Sequence, residues 1–201
     1  MTSYLMKLYS PLFCLCISLF SISSVSATSL LPISLEQLST RASLIFYASV
    51  VSNQVKKDEI SGRIATFTEF EIIELIKDDT GKDHSENRHI IKQLGGFLES
   101  RQTIVRIHGV PQYQVGNRYV VFLPKESSLG FCSPLGLHQG SFSVTTINGE
   151  QIISNGHSLA QQSSNVFSNS SVQVPLAVTN NRPSQARLYD FINSVRAYNV
   201  R

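Results

Sequence analysis

Charge is scarce in this chain of 201 residues: Asp, Glu, Lys and Arg make up 15% of it, against 42% hydrophobic residues. That balance excludes a disordered, self-repelling polymer and leaves enough apolar side chain for one packed core. The formal net charge is only +3, and Lys56-Lys57 is the only adjacent basic pair. Such a distribution offers no track for a phosphate backbone, so nucleic acid is not the expected partner.

Cysteine is also scarce, and two of the three, Cys14 and Cys16, lie in an N-terminal apolar run. Residues 1–27 read as a secretory signal peptide. Lys7 supplies the positive start, residues 8–22 are apolar apart from Ser10, Pro11, Ser18 and Ser21, and Val25-Ser26-Ala27 fits the small-residue cleavage pattern. An uncleaved anchor needs about 20 predominantly apolar residues, a run that Pro11 and the serine-rich end interrupt. The expected location is therefore secreted or periplasmic, with no membrane span after cleavage. Cys132 then stands alone, so no disulfide forms within the mature chain and the fold rests on its core. A domain of this size buries roughly 70% of its unfolded surface, which suffices without staples.

Catalytic signatures are missing as well. No serine stands in G-x-S-x-G and no phosphate-cradling glycine loop occurs. Cys132 and His138 are the one obvious nucleophile and base, but six extended steps place them roughly 20 Å apart unless Pro134 and Gly136 fold the segment back. A buried, inert thiol is the preferred reading of Cys132, with a thiol-dependent hydrolase as the alternative and His157 as a second candidate base. His84, His89, His108, His138 and His157 show neither H-x-H nor H-E-x-x-H spacing, and only His89 and His108 fall on expected strands where a sheet could bring them together. Asp78, Asp79, Asp83 and Glu86 could offer oxygens to calcium, yet Lys77, Lys82 and Arg88 are interleaved with them and the calcium-loop spacing is absent. Glu69 and Glu71, about 7 Å apart on one strand face, have the separation of a glycosidase pair but read as an ordinary solvated face. No catalytic residue, metal site or cofactor is assigned.

What the chain does have is β pattern. Ser34 and Gln37 have capping-box spacing, predicting a short helix over residues 35–41. Residues 44–51 are apolar at alternate places on both faces, a strand covered on two sides. Over 63–77 the inward phase slips at Ile72-Ile73, which predicts a bulge. Residues 78–88 read as a loop, 89–94 and 103–108 as strands, and 118–123 as a central strand. A strand over 141–146 meets Asn148-Gly149, a type I′ hairpin signal, and 150–153 returns. Residues 154–182 are rich in Ser, Asn and Gln and read as flexible. In 183–201, Leu188, Phe191, Ile192 and Val195 have the spacing of an amphipathic helix, with Ser184 as its expected N-cap.

These features in order, from Leu35-Glu36 and Ala42-Ser43-Leu44-Ile45 through Thr66, Phe70 and Glu74-Leu75-Ile76-Lys77, then Gly95-Gly96, resemble a family of mostly uncharacterised secreted bacterial proteins. Gly109-Val110-Pro111, Tyr113, Gly116, Arg118 to Leu123, Gly136-Leu137 and Gln139-Gly140-Ser141-Phe142 complete the pattern. More distantly, the strand order resembles the netrin-like, OB-type barrel of tissue inhibitors of metalloproteases. That resemblance implies a mainly β fold: a small antiparallel OB-like barrel over 28–153, with a short N-terminal helix and a C-terminal amphipathic helix. The inhibitors' hallmark, an N-terminal cysteine that chelates zinc, is missing, because the expected mature end is Thr28. The resulting expectation is an exported, non-enzymatic binding module, inhibitor-like in character, whose partner is a secreted or periplasmic protein such as a protease. A structural envelope component, with the C-terminal helix docked on a partner, is a further alternative. The expected contacts are Asp78, Asp79, Asp83, Glu86 and Arg88 in one loop, and Pro111 and Tyr113 in one turn.

Overall fold

The computed structural model describes residues 31–83, 86–156 and 185–200, and Pro32–Arg201 form one compact unit. The leader and most of 154–182 lie outside the described residues. In chain order the elements are α1 (Leu35–Arg41), β1 (Leu44–Lys57), β2 (Ile64–Asp78), β3 (Arg88–Leu94), β4 (Gly96–Leu98) and β5 (Thr103–Val105). They continue with β6 (Arg118–Leu123), β7 (Ser141–Ile147), β8 (Glu150–Ser154), β9 (Ala186–Arg187) and α2 (Leu188–Asn199). Seven strands form one antiparallel sheet in the order β3-β2-β1-β6-β7-β8-β9, and β4 and β5 form a separate hairpin. The molecule is mainly β. No described helix is long and apolar enough to cross a membrane.

Both faces of the sheet centre are buried because β1 and β6 are apolar at odd and even positions alike. Side chains alternate across a strand, so Ile45 and Tyr47 of β1 join Val120 and Phe122 of β6 in one core, with Leu38 of α1 and Phe191 of α2. The intervening residues, Leu44, Phe46, Ala48 and Val50, join Tyr119, Val121 and Leu123 in a second core on the other face. Phe122, Phe142 and Phe191 pack ring to ring in the first. In the second, Phe46, Phe70, Tyr113 and Tyr119 form a chain of edge contacts at 5.5, 4.9 and 5.0 Å. Each such pair contributes about 0.5–1.5 kcal/mol beyond its buried area.

Among the described residues no helix covers the second core. Connecting chain does so instead. Asn53 Nδ2 donates to the Tyr113 carbonyl at 2.6 Å, and the Gly116 amide donates to the Val50 carbonyl at 2.8 Å. After β6 the chain crosses to the edge of β3, where Phe131 and Lys92 form an isolated parallel bridge and the Cys132 amide donates to the Lys92 carbonyl at 2.9 Å. It then returns, with the Leu135 amide donating to the Phe122 carbonyl at 3.0 Å. Among the described residues one bridge therefore spans the gap between β3 and the chain after β6, and no continuous strand ladder closes the sheet. Pro124 and Pro134 flank that crossing, and proline cannot donate to a ladder.

A buried ion pair ties the crossing down. Lys92 Nζ lies 2.9 Å from Asp58 Oδ1, with side-chain exposures of 10% and 6%, and 4.6 Å from the centre of the Phe131 ring. Asp58 starts the turn between β1 and β2, accepting from the Ser61 hydroxyl at 2.6 Å and the Ser61 amide at 2.8 Å. The Ser61 and Lys92 hydrogen bonds hold its carboxyl down at about 2.

Strand β2 carries the expected phase slip. Ile73 and Ile76 are the extra residues, lying between the pairs Ala48↔Ile72 and Tyr47↔Glu74 and between Phe46↔Leu75 and Ile45↔Lys77. The bulges re-aim the strand: Phe70 and Ile72 enter the second core, whereas Ile76 packs on the first and Glu74 meets Arg196 of α2 at 2.6 Å. Asn148 and Gly149 have φ of 51° and 82°, as a type I′ turn requires, and Ser34 and Gln37 form both halves of the capping box.

Two expectations are corrected. The strand expected over 103–108 ends at Val105, and its partner β4 was not anticipated because Gly95-Gly96 reads as a breaker. Helix α2 starts at Leu188 with Arg187 at its N-cap, since Ala186 and Arg187 pair with β8 as β9; Ser184 lies outside the described residues. Helix α2 buries Phe191 and Val195 against its own sheet, where the amphipathic spacing of Leu188, Phe191, Ile192 and Val195 is spent.

Candidate functional site

Two concavities are built from different parts of the fold. The first is a cleft of about 290 Å³ where the start of β1, the end of β6 and the loop after β2 converge. Leu44, Leu123, Pro124, Cys132 and His89 line it, together with Asp79, Lys82, Lys125 and Glu126. Lys82 Nζ and Glu126 Oε1 meet at 2.6 Å, tying the loop after β2 to the chain after β6. Burial pushes the Cys132 thiol up to about 11, with Glu126 raising it further and Lys82 opposing. Its Sγ donates to the Pro124 carbonyl at 3.5 Å.

His138, the expected base, is not among the residues lining this cleft. It lies on a 3₁₀ turn, Leu137–Gly140, beside Gly109. The imidazole that shares the cleft with the sulfur is that of His89, which also packs at a tilt against the Phe46 ring, 5.5 Å between centres. His157 and His84 lie outside the described residues. His89 and His108 line different concavities and form no common site. Among the described residues no group of three His, Cys, Asp or Glu side chains is placed to hold a metal.

The acidic loop is exposed at Asp78, Asp79, Asp83, Glu86 and Arg88. Asp78 Oδ1 accepts from the Thr80 amide and hydroxyl at 2.8 and 2.6 Å, and Asp79 pairs with Lys77 at 3.2 Å. Arg88 reaches back to Glu69 at 3.1 Å and Glu71 at 3.9 Å, so those two glutamates belong to a surface ion cluster. Pro111 is half-buried. Tyr113, expected to contact a partner, is only 6% exposed and plugs the second core. Burial pushes its phenol pKa well above the usual range.

The second concavity, a groove of about 590 Å³, runs between the β4–β5 hairpin and residues 106–112. Phe97 and Ile104 are direct cross-strand partners, so both side chains share one face; they are 45% and 54% exposed, and Ile107 beside them is 40% exposed. No family model matches the chain, nor does any curated protein. The hairpin is held at its base: the Gly95 amide donates to the Ile64 carbonyl at 2.9 Å, and the Thr66 hydroxyl donates to the Gly95 carbonyl at 2.7 Å. A two-stranded hairpin alone is marginal in water, so this anchoring is what keeps an apolar face presented to solvent. The groove lining contains Arg106 and His108 and no carboxylate.

The turn singled out from sequence contributes Gly109, Val110 and Gln112 to this groove. Phe97, Ile104 and Ile107 were missed as site residues. The signal for Ile104 and Ile107 was available in the alternation at 103–107, where apolar residues fall on both faces of a strand too short to bury them all; Phe97, just after two glycines, carried none.

Proposed function

We propose that this chain is an exported, non-enzymatic binding module that holds an extended, apolar and acidic segment of a protein partner in the groove at the β4–β5 hairpin. The observation that carries the reading is the exposed trio Phe97, Ile104 and Ile107 on a hairpin rooted firmly in the sheet. Arg106 supplies the charge complementarity and His108 a hydrogen-bonding ring, since neither has an ion-pair or hydrogen-bonding partner among the described residues. Apolar anchors ringed by polar groups are the usual anatomy of a recognition surface. The Lys92–Phe131 bridge supports an OB-like reading of the four strands around the second core, and OB barrels recognise partners through loops at the rim. The signal-like leader supports export, and the netrin-like resemblance makes a secreted or periplasmic protease the first partner class to test. Absence of a catalytic role is supported by a sulfur held as a protonated thiol at neutral pH.

The test is site-specific photocrosslinking in the exporting cell. A photoreactive residue at Ile104 is expected to capture one defined protein, and the same residue at exposed Glu59 to capture none. Capture unaffected by Phe97→Asp, or equal from both positions, rejects the reading. The rival, a thiol hydrolase, draws on the cleft that Cys132 shares with His89. Peptidase activity that vanishes in Cys132→Ala is the result that would promote it.

A further inference from the structure

The cleft beside Cys132 shares no lining residue with the groove. Its floor is apolar: Leu44 and Leu123 are buried, and Pro124 and the protonated thiol of Cys132 complete it. Its rim is charged, but the charges are almost all spent. Asp79 is met by Lys77 at 3.2 Å and Glu126 by Lys82 at 2.6 Å, leaving Lys125 exposed and without any partner among the described residues. A volume of about 290 Å³ lies at the lower end of pockets that hold small molecules, roughly 300 Å³ and upward. An unpaired lysine among the residues lining an apolar cleft selects a small monoanion with a hydrocarbon body.

We propose that this cleft is a second, independent site that binds a short-chain carboxylate, its carboxylate on Lys125 and its hydrocarbon chain on Leu44, Leu123 and Cys132. The Lys82–Glu126 pair bridges the loop after β2 and the chain after β6 at the rim of the cleft.

Hexanoate is the probe, with acetate and hexanamide as comparisons. Calorimetric titration of the full chain is expected to show saturable hexanoate binding, at least about tenfold tighter than acetate, because the extra methylenes lie on the floor. Hexanamide and the Lys125→Gln variant are expected to lose roughly fivefold, the upper worth of one exposed charge pair. Lys125 is exposed, so its replacement leaves folding intact. Location is read separately: hexanoate is expected to shift the methyl NMR signals of Leu44 and Leu123 and to leave that of Ile104 in place. Acetate binding as tightly as hexanoate, equal affinity in Lys125→Gln, or binding that leaves the Leu44 and Leu123 methyl signals unshifted would each overturn the proposal, as would no saturable binding.

Discussion

Lys92 keeps a charge where only 10% of its side chain meets solvent, and the cost of desolvating it is offset by Asp58 and the face of Phe131. Removing one partner strands the other charge, so Lys92→Met is expected to lower the unfolding midpoint more than the double variant Asp58→Asn/Lys92→Met, in which the amide oxygen still accepts from Ser61. A double-mutant cycle in urea checks this. The sign with pH follows from Asp58, whose carboxyl is lowered from 3.8 to about 2. A depressed carboxyl contributes stability that is complete above its unfolded pKa and is lost as pH falls through the folded one. The gap between wild type and Asp58→Asn is therefore expected to be constant at pH 5 to 7 and to shrink from about pH 4 towards pH 2. Gly96 is a second residue that tolerates little. Its φ is +136°, and a Cβ there would come within 2.6 Å of Val55 Cγ1. Gly96→Ala is expected to cost about 1–3 kcal/mol by denaturation and to increase hydrogen exchange in the hairpin.

Among the elements, those whose chemistry is local were legible in the chain. Ser34 and Gln37 announced α1, Asn148-Gly149 announced the β7–β8 turn, and Ile72-Ile73 marked where β2 changes face. Strand β4 was not legible, because three residues after two glycines carry no period, and its existence depends on contacts from Thr66 and Val55 elsewhere in the chain. The start of α2 was placed too early for a similar reason: pairing of Ala186 with Ile153 is a tertiary event that competes with helix for the same residues. Helix α2 closes the first core through Phe191, which is fully buried between Phe122 and Phe142. Phe191→Ala is expected to cost about 3–5 kcal/mol in urea denaturation. An unchanged midpoint would mean that α2 is an appendage and not part of the core.

At the scale of the whole molecule, one sheet with two buried faces positions two unrelated concavities. The sheet centre was readable because β1 and β6 are apolar on both faces. The concavities were not, since each draws on separated segments: Leu44, Asp79 and Cys132 for the cleft, and Phe97, Ile104 and Val110 for the groove. Asp79 was singled out as a contact, but nothing near it in the chain indicates that it lies beside Cys132. Tyr113 was misjudged because a turn tyrosine reads as exposed, whereas the Asn53 hydrogen bond to its carbonyl draws the turn over the second core. Recognition of an extended acidic and apolar segment by the β4–β5 groove is tested most directly by selecting displayed random peptides on the intact protein, then measuring each winner against Phe97→Asp and Ile104→Asp. Winners pairing hydrophobic residues with Asp or Glu, and losing at least about tenfold on either variant, are the predicted result. Failure to enrich any sequence, or winners that bind both variants as tightly as wild type, would contradict it.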